Sequence, residues 1–254
     1  VLSRAEDQIG DARLENRLAP LGVVEGVDER EGQVIFLPER ANLAACMSQP
    51  RFTLAEADVR DRPALDRILA GHDPFDAVAH LAARAGVRPS LAHAQLYFDI
   101  NVRGTQVLLE ALHAAAPGTP FILASSSSVY GAAPGPFQED QPIGRPLSPY
   151  AASKHASELV AWVAHHLHGT PTTVLRFFTA YGPRQRPDMA IPRFTELLLR
   201  GAPVQLFGGG ASHRDYTFGG DVVNGVSRAL ARAQGFRIYN LGSARLTRLD
   251  ELVA

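Results

Sequence analysis

The apolar run Pro120-Phe121-Ile122-Leu123-Ala124 leads into Ser125-Ser126-Ser127-Ser128-Val129-Tyr130-Gly131. A helical stretch then opens at Pro149-Tyr150-Ala151-Ala152-Ser153-Lys154, and Thr172-Thr173-Val174-Leu175-Arg176-Phe177 follows it. Two β-rich runs flank an Ala- and Leu-rich helical pattern over about 149–168. Working outward, Phe52-Thr53-Leu54-Ala55-Glu56-Ala57 and Phe75-Asp76-Ala77-Val78-Ala79 read as further strands, with helical stretches near 62–70 and 91–115. This alternation predicts an α/β fold, a doubly wound parallel sheet with helices on both faces. After about residue 178 Gly and Pro become frequent and the elements shorten. A helix is expected near 190–200, a strand at Val204-Gln205-Leu206-Phe207 and a helix near 221–232. That change predicts a small ligand-covering lobe interleaved with the main sheet.

A chain of 254 residues can bury a large core as one α/β domain, or as a domain with a small lobe. Apolar residues at 46% and charged residues at 20% fit a soluble globular protein. A net charge of -1 gives no reason to expect nucleic acid or an anionic membrane as partner. Cys46 is the single cysteine, so an internal disulfide framework is excluded, and a reducing, cytoplasmic compartment is expected. Cys46 itself reads as a helix-face residue rather than a nucleophile. No apolar stretch of about 18 residues and no signal-peptide pattern occurs. No internal repeat, low-complexity segment or metal-ligand set stands out. The first residue is Val, and Leu249-Asp250-Glu251-Leu252-Val253-Ala254 reads as the opening turns of a helix, so further chain at either end stays open. The helices at 91–115 and 149–168 either pair with a second copy in a homodimer or are buried within one subunit.

Tyr150 and Lys154 lie four residues apart and so share a helix face. A phenol with an ordinary pKa near 10 is a poor base at neutral pH, but an adjacent cation favours the phenolate. A hydroxyl from the serine run can hold the oxygen whose proton is taken. The spacing alone is common by chance; its surroundings give it weight.

These surroundings resemble an extended short-chain dehydrogenase/reductase of the NAD-dependent nucleotide-sugar epimerase family, the UDP-glucuronate and UDP-glucose 4-epimerase group. The resemblance runs from Glu39 to the end. It rests on Asp58-Val59-Arg60-Asp61, His80-Leu81-Ala82-Ala83-Arg84-Ala85-Gly86-Val87-Arg88, Asn101-Val102-Arg103-Gly104-Thr105, the serine run and Tyr150 with Lys154. Arg176-Phe177-Phe178-Thr179-Ala180-Tyr181-Gly182-Pro183-Arg184 and Arg214-Asp215-Tyr216-Thr217 complete it. It implies a Rossmann-type dinucleotide-binding domain over 1–178 and a partial substrate-binding lobe over 179–254. It implies NAD as cofactor, a UDP-sugar as substrate and a homodimer. Ser126, Tyr150 and Lys154 take the catalytic positions: Tyr150 removes the proton of the sugar 4-hydroxyl, hydride leaves C4, and the 4-keto sugar turns before hydride returns to its other face. Lys154 then lowers the phenol pKa and holds the nicotinamide ribose. Gly10, Asp28, Asp58, Val59, Leu81, Ala82, Ala83, Asn101 and Phe177 match cofactor positions, with Tyr150 and Lys154. Ser127, Thr179 and Arg214 match substrate positions, and Arg88, Arg184 and Arg186 are either partners for a sugar carboxylate or solvated loop arginines. Gly208-Gly209-Gly210 is expected to be a turn rather than a phosphate loop.

Sugar 4,6-dehydratases of this superfamily carry an acidic pair after the catalytic hydroxyl, because loss of water needs a second acid and base. Ser127 and Ser128 stand there instead, which disfavours dehydration. Three departures from the family pattern stand out. Of the glycine turn that would receive the pyrophosphate only Gly10 remains, with Arg4 and Asp7 at the first two positions. Arg4 in a tight turn costs about 1–2 kcal/mol, and Asp7 repels a diphosphate; either amounts to ~10-fold or more in affinity. Gly219 and Gly220 replace a β-branched and an acidic residue, leaving Asp221 as the expected N-cap. The last stretch of the family pattern is not present.

The leading expectation is an NAD-dependent nucleotide-sugar 4-epimerase, with UDP-glucuronate ahead of UDP-glucose. The alternatives are a catalytically silent relative that binds sugar nucleotide, and an NAD(P)H-dependent 4-keto-sugar reductase.

Overall fold

The computed structural model describes residues 22–25, 46–49, 52–71 and 75–253. Strand β4 (Phe121–Ser126), whose six residues are all buried, is central to the main sheet. Its neighbours are β3 (Val78–His80) and β5 (Thr172–Phe177), and β8 (Phe236–Leu241) lies beyond β5, all parallel in the order β3-β4-β5-β8. Strands β1 (Gly22–Glu25) and β2 (Thr53–Glu56) form a parallel pair, with Gly22 opposite Thr53. A third sheet joins β6 (Thr179–Tyr181) and β7 (His213–Phe218) in parallel, with β9 (Leu246–Arg248) antiparallel to β7.

The strand period of two divides the core between two layers. Phe121, Leu123 and Val174 pack with Val59, Leu65, Leu108, Leu109, Leu112 and Ala161. These last residues belong to α1 (Arg62–Ala70), the long helices α4 (Gly104–Ala115) and α5 (Pro149–His168), and the turn before α1. Ile122 and Leu175 point the other way, onto Leu241 and onto Ala229 of α7 (Gly219–Leu230). Each such apolar side chain contributes roughly 1.5–3 kcal/mol when fully buried. Helices thus cover both faces of a parallel sheet, as the alternation predicts.

Local chemistry accounts for the elements that match expectation. Ser148 caps α5 by accepting the Ala151 N–H at 3.1 Å, Pro149 occupies the first turn, and Gly169 ends the helix at φ 68°. Asp61 caps α1 through the Ala64 N–H at 3.0 Å.

Elsewhere the structure corrects the sequence. The helix expected over 91–115 is α2 (Val87–Ala92), α3 (Ala94–Phe98), a π-helical segment (Asp99–Arg103) and α4. His93, at φ −132° and ψ 41°, breaks the first two apart. No strand forms at 204–207: Phe207–Gly210 is a 3₁₀ turn whose Gly209 and Gly210 sit at φ 64° and 77°, so the glycine run does make the expected turn. Helix α7 starts at Gly219, its cap residue is Phe218 without a side-chain bond, and Asp221 lies in its first turn rather than at its N-cap. Strand β8 hydrogen-bonds β5, so the chain returns to the main sheet after β6, α6 (Ala190–Leu199) and β7. The chain ends in α8 (Leu249–Val253).

Gly104 begins α4 against the buried Val59, and a Cβ there would lie 2.5 Å from Val59 Cγ1. Gly104→Ala is expected to destabilise by about 1–3 kcal/mol through overpacking, read as a lower urea midpoint at unchanged slope.

Candidate active site

The caps of α5 place Tyr150 in its first turn and Lys154 one turn later, with Lys154 turned into the protein and buried. Ser126 is the last residue of β4, opposite Phe177 of β5. Its Oγ accepts the Ser128 N–H at 3.2 Å, which folds the serine run into a 3₁₀ turn, Ser127–Tyr130. The Ser126 hydroxyl is also close enough to the Tyr150 phenol to favour its phenolate form. A hydroxyl and a phenol therefore meet at the carboxyl end of the central strand, where ligands bind in sheets of this kind.

The electrostatics differ from the expectation of a phenol tamed by its lysine. Burial pushes the Tyr150 phenol up, and the Ser126 hydrogen bond and the charge of Arg186 only partly offset this. Lys154 Nζ donates to the Ala124 carbonyl at 2.8 Å. Burial lowers its pKa to about 8, with Glu158 acting in the opposite sense. In this structure the ammonium donates to a backbone oxygen, and burial rather than a neighbouring cation dominates the phenol.

Asn101, in the π-helical segment, holds this corner together. Its Nδ2 donates to Ser153 Oγ at 2.9 Å and to the Arg84 carbonyl at 3.1 Å, and its Oδ1 accepts the Arg84 N–H at 2.7 Å. Its own carbonyl receives Thr105 Oγ1 at 2.6 Å and Ser157 Oγ at 2.9 Å. His80 Nε2 reaches Thr105 Oγ1 at 3.0 Å, and burial holds this imidazole neutral, with a pKa near about 3. Leu81, Ala82 and Ala83 leave β3 here without regular structure, their side chains exposed or half-buried.

At the far rim, Asp58 follows β2 and Val59 is buried behind it. Arg60 grips Asp58 through Nε at 3.0 Å and Nη2 at 2.6 Å, and also bridges to Asp99. That side-chain bond holds the Asp58 carboxyl below its ordinary range despite burial. Gly10 and Asp28, and with them Arg4 and Asp7, lie outside the described residues.

The expected substrate residues divide. Thr179 opens β6, half-buried, opposite Tyr216, and Ser127 is half-buried beside Ser126. Arg88 (on α2), Arg184 and Arg214 are exposed, and Arg214 Nη1 is turned onto the His213 carbonyl at 2.8 Å. Arg186, though ion-paired with Asp188 at 2.9 Å, is the arginine whose charge acts on Tyr150. Tyr97 was not singled out from the sequence. It is fully buried, edge-on to Tyr150 with centroids 6.2 Å apart, bonded to the Ala85 carbonyl at 2.9 Å, with the Arg84 guanidinium 5.8 Å over its ring. No sequence signal marks it. Glu158 was also missed, although its spacing of four from Lys154 was legible.

The profile of the NAD dependent epimerase/dehydratase family matches residues 22–242. The chain belongs to that family. It is 41% identical, over 76% of its length, to a UDP-glucuronate 4-epimerase of Thermodesulfobacterium geofontis, and covers 59% of that protein. Against a dTDP-glucose 4,6-dehydratase of Streptomyces griseus the identity is 37% over 96% of this chain and 73% of the relative. The crystal structure of a UDP-glucuronic acid 4-epimerase from Bacillus cereus, in complex with UDP-glucuronic acid and NAD, superposes with a TM-score of 0.77. That match is 34% identical and covers 84% of this chain and 67% of that one. The family membership carries the Rossmann-type reading of the parallel sheet. Among the described residues no helix is long and apolar enough to cross a membrane, and no group of His, Cys, Asp and Glu converges on a metal position.

Lys154 gives a pH prediction. A lysine in the unfolded chain keeps its proton to about 10.4, whereas native Lys154 loses its own near 8. Between those values the unfolded state binds more protons, so this group adds stability as pH rises through the window. Lys154→Met should flatten the rise, seen as a smaller difference in Tm between pH 8 and pH 10 (about the window's limits).

Proposed function

We propose that the protein is an NAD-dependent nucleotide-sugar 4-epimerase acting on a UDP-uronate such as UDP-glucuronate. The observation that carries the reading is the placement of Tyr150 in the first turn of α5 beside Ser126 at the carboxyl end of β4, with Lys154 of the same helix bonded to the Ala124 carbonyl of that strand. The described residues fit a dinucleotide. Asp58, Leu81 to Ala83, Ser126 and Phe177 all follow or end parallel strands, and their strand ends are the edge at which a nucleotide lies. When bound, NAD supplies a hydride acceptor and donor at the sugar C4.

The chain's own groups do the rest. Ser126 holds the 4-oxygen and Tyr150 exchanges its proton, taking it when the alcohol is oxidised and returning it to the other epimer. The raised phenol favours the return step, and proton removal draws on the Ser126 hydrogen bond, which favours phenolate. Lys154 fixes the α5–β4 contact through Ala124 and presents a second donor for a ribose hydroxyl. Arg186 sits where a carboxylate on the sugar gains an ion pair. Thr179 and Ser127 contact the sugar ring, Arg214 serves the diphosphate, and Arg88 and Arg184 are further partners for the sugar carboxylate. We assign residues 1–178 to cofactor binding and 179–254 to a substrate-covering lobe interleaved with the main sheet, to which it returns β8. Ser127 and Ser128 in place of an acidic pair support epimerisation over dehydration. Leu159, Val163 and Leu167 are exposed on α5 and fit a second copy of the chain.

The decisive experiment incubates purified protein with UDP-glucuronate and NAD and follows the 4-epimer by chromatography and NADH by absorbance. Product without net NADH is expected. A stoichiometric change in NADH points instead to the reductase, and absence of both NAD binding and turnover to the silent relative. Tyr150→Phe should lower turnover by about 10²-fold or more, and wild-type turnover in that variant removes the proton-transfer role. Arg186→Met should raise KM for the uronate more than for UDP-glucose; equal effects on both would take the carboxylate away from it.

A further inference from the structure

Behind the reacting groups, one buried carboxylate joins the elements that carry them. Glu158 lies on α5 four residues beyond Lys154, on the same face, and both are buried. Glu158 Oε1 accepts from Ser125 Oγ and from Arg176 Nε at 3.1 Å, and its Oε2 accepts from Arg176 Nη2 at 2.8 Å. Ser125 and Arg176 face each other in the β4–β5 register. Arg176 Nη1 continues to Tyr130 Oη at 3.0 Å and to the Glu139 carbonyl at 3.3 Å, and its guanidinium lies 4.9 Å over the Tyr130 ring. Tyr130 Oη in turn donates to Asn240 Oδ1 at 2.8 Å. The carboxylate therefore ties the helix of Tyr150 and Lys154 to the strand end of Ser126 and, through Tyr130, to the turn after it.

The ion pair is nearly dry, with side-chain exposures of 2% for Arg176 and 5% for Glu158. Apolar residues of similar volume hold a core as well as such a pair, so stability alone gives no reason for the charges. The fork of Arg176 fixes the carboxylate with two parallel bonds, and a fixed carboxylate gives a fixed field.

We propose that Glu158, clamped by Arg176 and Ser125, is a positioning residue that supplies the counter-charge for the Lys154 ammonium. This rests on the reading of Lys154 as part of the reacting group. Lys154 is faced from β4 by the Ala124 carbonyl, from β3 by the neutral His80, and on its own helix by Tyr150 and Glu158. Arg176 of β5 stands behind Glu158. Burial works against the ammonium, and Glu158 is the anion that works for it. Without Glu158 the amine would lose its proton at a lower pH, and with it the hold on Ala124 as a charged donor.

Lys154 is the single lysine of the chain, so protein grown on lysine labelled at Cε gives one titrating NMR signal. In the wild type its midpoint is expected near 8. Glu158→Gln should lower that midpoint by about one unit or more, and Arg176→Gln, which leaves the carboxylate, should not. The double variant Glu158→Gln, Arg176→Gln removes both members of the buried ion pair, leaving no guanidinium without its carboxylate, and should show the fall if the single variant does not fold. An unchanged midpoint in either folded Glu158 variant overturns the proposal. So does failure of both to fold, which would make the pair a folding element and nothing more. The titration needs neither substrate nor cofactor, so an inactive protein that keeps a Glu158-dependent midpoint would sink the epimerase reading and leave this one standing.

Discussion

A lysine amine buried against a backbone carbonyl, Lys154 Nζ on Ala124 O at 2.8 Å, sets the terms for the rest of the site. Burying an ammonium is costly unless it is bonded and balanced. The surrounding groups answer that cost: a strand carbonyl accepts from it, an imidazole beside it stays neutral, and an acidic side chain lies one turn away on the same helix. The same contact brings the first turn of α5 against the last residues of β4. The phenol of Tyr150 and the hydroxyl of Ser126 are neighbours because two longer side chains, Lys154 and Glu158, draw their elements together.

Much of the fold was legible because its signals are local. Strand β5 and helices α1 and α5 occupy the expected residues; Pro149 and Ser148 at the start of α5 and the capping Asp61 of α1 are read from a few positions. The misses have non-local causes. The stretch 91–115 has continuous helical character, but Asn101 turns its amide to Arg84 and Ser153, neither of them near in sequence, and the ladder widens there. Strand β7 is polar and half exposed, held by β6 and β9 rather than by an apolar pattern, and so leaves little trace in the sequence. Val204 to Phe207 carries strand character without a partner strand.

The site divides along the same line. Ser126, Tyr150 and Lys154 follow from spacing, and the structure places them at one strand end. Their electrostatics did not follow, since sequence spacing gives the proximity of a cation but not the direction in which it donates. The burial of Tyr150 raises a phenol that a neighbouring cation was expected to lower. Likewise three arginines stood equal in the sequence, and the folded chain brings the charge of Arg186 to bear on Tyr150.

The π-helical segment at Asp99–Arg103 fixes a count. One residue accommodated in a wide turn is one residue that an ordinary helix would not hold, and removing it rotates everything beyond by about 100°. On α4 that rotation would swing Leu108, Leu109 and Leu112 away from β4 and carry polar positions such as Gln106 and Glu110 toward the core. The distance in sequence between Asn101 and this apolar stripe therefore cannot drift by single insertions or deletions. Homologous chains should vary in length in their loops and keep this interval constant.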